Sequence, residues 1–434
     1  MKRPCQAWGV GVGWLLAPAV TAVAFNLFML WQIPASAQAP AEPNYKTVDA
    51  PAPTKAETKA FGDLFTRETN LGQVQPGDAA TIKTAANFRI AEFTQVGVIV
   101  GGPDALVRKR GDIKQFLGRA GRLPVKDLHV AMNREILATA MPVVYDKDVH
   151  PAARYNLLYL VGQLDRVERE GAAPPIPLPE GTMALVEVLG KNDVPAYLHV
   201  AALDQLIRHA EYEMPSAQRT AVVGAIKPLL LKEAPANADP AAWQWSRKRA
   251  ANIVQLMAEK TYNEVNDPAL LVAVSKLLSD NKATLNMRSD AALAIAGCEG
   301  RWLAATNQVR QMVAGVGDAL KSSMNDCADS SKTNPMFAHV LYYMACYSES
   351  LRKPESTRGL LAAAGNDAEL KAAINGTADK ITEFEGKLRK LVAGNQRPET
   401  TALTEPGRAL LRDMVTQLDQ IMAPLNKVVA QAKN

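Results

Sequence analysis

A short pattern returns through the middle of the chain. Asp148-Val149-His150-Pro151 leads to Arg154, then to Leu157, Leu158 and Leu160; Asp193-Val194-Pro195 leads to His199, then to Ala202, Leu203 and Leu206. Looser copies follow, with Arg249 ahead of Ile253 and Leu256, and Arg288 ahead of Ala291, Ala292, Leu293 and Ile295. The basic or histidine position therefore falls at 154, 199, 249 and 288, at intervals of 45, 50 and 39 residues. Apolar residues three and four apart make one face of a helix. A helix pair of this size cannot bury such a face alone, so neighbouring pairs must stack, and small alanines let them approach. The chain is thus bound to a linear array of helix pairs.

The rest of the pattern agrees. A helix is expected from Asp104 to Leu117, ended by Gly118 and Gly121, and Pro124 opens the next, with Leu128, Met132, Ile136 and Leu137 on one side. Further helices are expected over 150–165, 181–190, 195–212, 216–233, 240–260, 267–279, 285–299, 301–320 and 335–351. Pro142, Pro151, Pro195, Pro215, Pro240, Pro268 and Pro335 punctuate most of their boundaries. Proline suits a first helical turn, where its missing N–H has no partner in any case. Val96–Val100 is the best strand-like run, read as a helix end or as a lone strand. Leu370, Ile374, Ile381, Phe384, Leu388 and Leu391, then Leu411, Met414, Leu418, Ile421, Leu425 and Val428, form two near-heptad stripes. They predict an antiparallel hairpin that caps the array or pairs between chains; Pro424 opposes a long regular coiled coil.

The four copies resemble the second helix of a HEAT or armadillo repeat, whose period is about 40–47 residues. The resemblance covers about 125–350. It implies an all-α fold, an α-solenoid of about five HEAT-like helix pairs with a C-terminal long helical hairpin. It also implies that Asp148, Arg154, Asp193, His199, Arg249 and Arg288 are structural positions bridging adjacent repeats, not catalytic ones. The expected organisation is an N-terminal helical lead-in at 79–124, the solenoid at 125–352 and the hairpin at 353–434.

Ahead of these, Lys2 and Arg3 precede an uncharged, largely apolar stretch that ends at Pro34-Ala35-Ser36-Ala37. This is the layout of a secretory signal cleaved after Ala37. Residues 9–33 carry no charge and exceed the ~20 that a spanning helix needs, so an uncleaved anchor is the alternative. Either way the remainder is expected in an extracytoplasmic compartment, periplasmic or secreted. Residues 38–78 are expected to be a Pro/Ala-rich linker, with 40–60 extended and burying nothing.

Chemistry is sparse. The formal charge is +5, or +3 once Lys2 and Arg3 leave with residues 1–37, too small and too dispersed for a nucleic-acid binder. There is no nucleophile elbow or P-loop, and no histidine pair has the spacing of a zinc protease. Asp146-Lys147-Asp148-Val149-His150 fits either a cation site or a helix cap. Cys298, Cys327 and Cys346 form no C-x-x-C pair; one disulfide is conceivable, with Cys327 on a Ser/Asp-rich loop at 321–334. Arg108-Lys109-Arg110 with Lys114, Arg119, Arg122 and Lys126 is a solvated face, or else a contact for anionic lipid or an acidic partner. Trp243 and Trp245 lie two apart on a helix and diverge by about 200°, so one is expected at the surface beside Arg247, the composition of a binding hot spot.

The expected function is therefore a non-enzymatic scaffold or binding module for another protein or peptide, with no cofactor and no metal. Two alternatives are carried: a ligand-binding protein or enzyme whose site is assembled from distant residues, and a membrane-tethered structural protein held by an uncleaved N-terminus.

Overall fold

The computed structural model describes residues 45–67, 72–235, 238–280, 282–353, 356–392, 398 and 400–431. The signal or anchor, its Ala37 cleavage position and residues 38–44 of the linker lie outside the described residues. The chain from Lys46 onward clusters as one compact unit.

That unit is all-α and repeat-like. Its helices are α1 (Lys55–Thr66), α2 (Asp78–Ala91), α3 (Val96–Val100), α4 (Gly102–Gly121), α5 (Asp127–Tyr145), α6 (Pro151–Val161), α7 (Pro179–Gly190), α8 (Ala196–Glu211), α9 (Ser216–Leu231) and α10 (Pro240–Glu259). They continue with α11 (Pro268–Ser279), α12 (Leu285–Gly297), α13 (Gly300–Ala304), α14 (Val309–Ala328), α15 (Phe337–Leu351), α16 (Gly359–Ala363), α17 (Ala368–Leu391) and α18 (Glu405–Gln431). Five pairs follow one another: α5/α6, α7/α8, α9/α10, α11/α12 and α14/α15. The second helices α6, α8, α10, α12 and α15 stack side by side in one layer, and the first helices α5, α7, α9, α11 and α14 stack in the other. Leu157, Leu203, Val254, Ile295 and Met344 fill the space between layers with no exposed surface worth the name.

Local chemistry explains the boundaries. Pro151, Pro179, Pro240 and Pro268 each occupy a first helical turn. Asp239, Asp267, Thr284 and Asp367 accept backbone N–H groups at the starts of α10, α11, α12 and α17.

Four features differ from expectation. Residues 40–60 are not extended throughout: Thr54 and Glu57 form a reciprocal capping box that starts α1, Leu64 is buried, and Phe61 stacks on Phe116 at 4.9 Å. Residues 301–320 are not one helix, because Asn307 takes a left-handed backbone (φ 56°) and separates α13 from α14. Between the helices expected over 150–165 and 181–190, where no element was expected, β1 (Asp165–Val167) pairs antiparallel with β2 (Ile176–Pro177). Cys327 sits not on a loop but in the last turn of α14, fully buried.

The C-terminal hairpin packs within the chain. α17 lies against α15 and α18 against α14, so the pair continues both layers and caps the array. Along α18 the buried positions are Leu411, Met414, Leu418, Met422, Leu425 and Val429, with Ile421 and Val428 displaced to the flank. A straight helix of 3.6 residues per turn drifts off a heptad, and here that drift moves the fourth and sixth positions by one residue. Leu391, expected on the buried stripe of α17, is exposed.

Candidate binding face

The repeated basic residues have a definite local task. Arg154 Nε donates to the Val144 carbonyl at 2.8 Å. His199 Nε2 meets the Lys191 carbonyl at 3.2 Å, and Arg288 Nη2 donates to the Asp280 carbonyl at 3.2 Å. Each acceptor lies at the C-terminal end of the first helix in the same pair, where carbonyls lack intrahelical partners and the dipole favours a donor or cation. Three of the four positions therefore close their own pair. Two of them also reach the adjacent pair, Arg288 through Nη1 to Ser322 Oγ at 2.7 Å and Arg154 with its guanidinium 5.8 Å over Tyr197, while Arg249 ties two pairs together through Nε, which faces Asp204 Oδ1 of α8 at 3.1 Å. The aspartates do less than the resemblance implies. Asp148 is exposed and offers its backbone carbonyl to Lys46 N–H at 2.8 Å. Asp193 bridges to Lys147 at 3.6 Å through side chains that are both more than two-thirds exposed, a contact worth little. What recurs against the core is the valine after the aspartate, with Val149 fully buried and Val194 half-buried.

A row of polar and aromatic side chains crosses the second-helix layer. Tyr155 and Tyr159, one turn apart on α6, hold their ring centroids 6.0 Å apart. The Arg110 guanidinium of α4 lies 4.4 Å over the Tyr159 ring. Asp204 follows on α8, then Arg249 on α10, whose guanidinium is 4.6 Å over Trp245. Lys248 reaches Asp290 of α12 at 3.5 Å. These groups are partly out of water, and it shows in their titration. Burial pushes the Tyr155 phenol up to about 12 and raises Tyr159. It also lifts the carboxyls of Asp204 and Asp290 above the ordinary aspartate range, against the pull of Arg249 and Lys248 on the first and of Lys248 on the second. The Arg110 guanidinium is pulled down, again by burial.

Of the three residues expected to form a hot spot, only Trp245 belongs to this row, packed against the core beneath Arg249. Trp243 is half-buried, and Arg247 is held by Asp280 at 2.6 Å. Arg110 was marked by sequence only as one cation of the basic run, and Tyr155, Tyr159 and Asp204 were not singled out; the Tyr155/Tyr159 spacing of one turn was the available signal.

The other candidates resolve into structural roles. Asp146 pairs with Lys46 at 2.8 Å and His150 Nδ1 accepts the Ala152 N–H at 3.1 Å, so that run is a helix cap. Among the described residues no group of three His, Cys, Asp or Glu side chains could hold a metal ion. His209 is fully buried; Nε2 meets the Gly162 carbonyl at 2.8 Å, which requires the proton there, and Nδ1 accepts from the Thr182 hydroxyl at 2.8 Å. Burial lowers its pKa to about 4. Beside it Gly162 lets α8 close in, since a Cβ there would lie 2.2 Å from Gln205 Cβ. Asp165, 2% exposed, accepts from Arg208 Nη2 through both carboxylate oxygens at 2.7 and 2.9 Å and from Lys114 at 3.2 Å, pinning the β-hairpin. Cys298 and Cys327 are buried thiols, both pushed up to about 12 by desolvation, and Cys346 is buried as well.

Two depressions open elsewhere. One of about 270 Å³ is lined by Arg310, Asp367 and Val429 among others; one of about 680 Å³ by Pro179, Met183 and Val186 among others. In the first, Asp367 is engaged by Arg310; in the second, Glu180 is engaged by Arg134 and Glu187 by Lys191. Neither gathers a nucleophile with a base. No described helix is long and apolar enough to cross a membrane. Comparison of the sequence with family models and with curated proteins finds no match.

Proposed function

We propose that the protein is an extracytoplasmic, non-enzymatic binding or scaffold module of HEAT-like repeats, and that it holds another protein or peptide on the second-helix layer. The observation carrying this is the row from Arg110 through Tyr155, Tyr159, Asp204, Arg249 and Trp245. Arginine stacked on an aromatic ring is the composition of binding hot spots. A stack of helix pairs presents that row as one continuous surface. Export follows from the Lys2-Arg3 start, the apolar stretch and the Ala35-Ser36-Ala37 end.

The test is site-specific photocrosslinking in cells. A photoreactive residue replacing Tyr155 should capture a stoichiometric partner, identified by mass spectrometry. The same residue replacing Leu231, exposed at the end of α9 in the opposite layer, should not. Equal capture at both places, or none at either, defeats the assignment.

A further inference from the structure

The cations around the row are almost all engaged from within the chain. Lys109 meets Glu92 at 2.7 Å, Lys114 meets Asp165 and Glu168 at 3.2 Å each, and Lys126 meets Glu170 at 2.6 Å. Arg119 lies over Phe65 at 5.6 Å. On α10, Arg247, Lys248 and Arg249 each face an aspartate, namely Asp280, Asp290 and Asp204. Of the basic stretch expected as a solvated face, the three lysines are therefore turned to internal carboxylates, Arg119 rests on a phenylalanine, and Arg108 and Arg122 are exposed. Arg110 is the exception on this row: its guanidinium rests on Tyr159, half out of water, and no carboxylate among the described residues pairs with it.

A guanidinium in that setting retains its fork of N–H donors but has lost part of its hydration, which is costly unless an anion completes it. The matching group is a carboxylate, which it can grip through two parallel hydrogen bonds. The Tyr155 ring beside Tyr159 brings a phenolic hydroxyl to the same place as a further donor. The surroundings narrow the choice. Asp204 and Asp290 balance Arg249 and Lys248, so the row carries one unmatched positive charge, not a positive field. A lipid surface or a polyphosphate needs several clustered cations and would meet Asp204 as a repulsive group. A single acidic side chain with aromatic or apolar neighbours suits the two arginine–aromatic stacks on either side of Asp204.

We propose that Arg110 anchors one Asp or Glu side chain of a partner peptide, with Tyr159 as its platform and Trp245 under Arg249 as the second contact along the same segment. The assignment rests on the binding-face function above and specifies its partner chemistry.

The experiment is affinity selection of a displayed random peptide library on the full chain and on Arg110→Gln. Peptides selected by the native protein should share an acidic residue at one fixed position flanked by apolar or aromatic residues. Their affinity should fall about tenfold or more in Arg110→Gln, the loss of one charge-assisted bidentate contact. Selected peptides that crosslink at position 155 yet share no acid, or bind Arg110→Gln equally well, overturn the anchor while leaving the binding face intact. Peptides that crosslink away from position 155 overturn both. Phosphatidylglycerol vesicles and inorganic phosphate are run in parallel; binding of either that is abolished by Arg110→Gln overturns the peptide assignment. Arg110→Gln should melt no lower than the native protein, because it removes an unmatched, desolvated charge. A clear drop in melting temperature would mark Arg110 as a packing residue and also overturn the proposal.

Discussion

The C-terminal hairpin and the row across α4–α12 handle charge in opposite ways. On α17 Glu383 pairs with Lys380 and Lys387 at 2.5 and 2.7 Å and Glu385 with Arg389 at 2.6 Å along the helix itself, and the two carboxylates that reach other elements, Glu369 to Arg310 and Asp379 to Arg352, are at least half exposed. The hairpin is held instead by a dry stripe of Ile374, Ile381, Phe384, Leu411 and Leu418. On the row, charges pair between helices and are half withdrawn from water. Exposed pairs on one helix add tenths of a kcal/mol and specify no neighbour. Buried pairs between helices do not surely stabilise, but they penalise every wrong juxtaposition. The hairpin closes the end of the array with a dry core; on the proposed function, the row supplies recognition along it.

The contrast can be broken in four places. Phe384→Ala, which empties a fully buried position in the hairpin, should lower unfolding free energy by about 3–5 kcal/mol in urea titration. A loss under 1 kcal/mol would mean the cap is not what holds that end.

The polar side of the molecule should reveal itself through pH. His209 is depressed from 6.5 to about 4, so between those values the unfolded chain binds the proton and the folded chain does not. Stability is present above pH 6.5 and should decline by about 3 kcal/mol as pH falls to about 4. His209→Gln should flatten that window, and an unchanged slope in the variant would remove His209 as its source.

Asp290 runs the other way. Its carboxyl is raised by burial, so the stability linked to its proton is present below the ordinary aspartate range and lost as pH rises through the raised value. Asp290→Asn should therefore be no less stable than the native protein at neutral pH. A melting temperature several degrees lower would show the Lys248 contact to be worth more than the desolvation it incurs. The smallest effect is expected at Glu383, where Glu383→Gln removes two surface pairs and should leave the melting curve in place. A measurable shift would show that the hairpin depends on its outer charges after all.

What could be read in advance divides along the same line. Helix periodicity, proline starts and the two hairpin stripes depend on neighbours in sequence, and they appear nearly where periodicity puts them. Ile421 and Val428 shift by one position because the helix turns at 3.6 residues and the stripe was drawn at 3.5. The row depends on how far one pair slides past the next, which no local pattern encodes. Trp243 and Trp245 illustrate it: their divergence on α10 was sound, yet both end half-buried because neighbouring elements flank the helix. Arg110 was visible as one cation in a basic run; the positions of Glu92, Asp165, Glu168 and Glu170 distinguish it from Lys109, Lys114 and Lys126, and its seat on Tyr159 from the exposed Arg108 and Arg122. The β-hairpin was hidden by its prolines, which an edge pairing of two short strands tolerates.

Arg154, His199 and Arg288 each close the pair in which they reside. A pair closed in this way can be copied or deleted by recombination with its own fastening intact, so the cost of a cut falls on the contacts between pairs. The seams between α8 and α10 and between α10 and α12 carry charged ones, since Asp204 and Arg249 stand on opposite sides of the first and Asp290 and Lys248 of the second. A duplication cut at either strands a partly buried charge in each product, so growth or loss of repeats should be selected against across both.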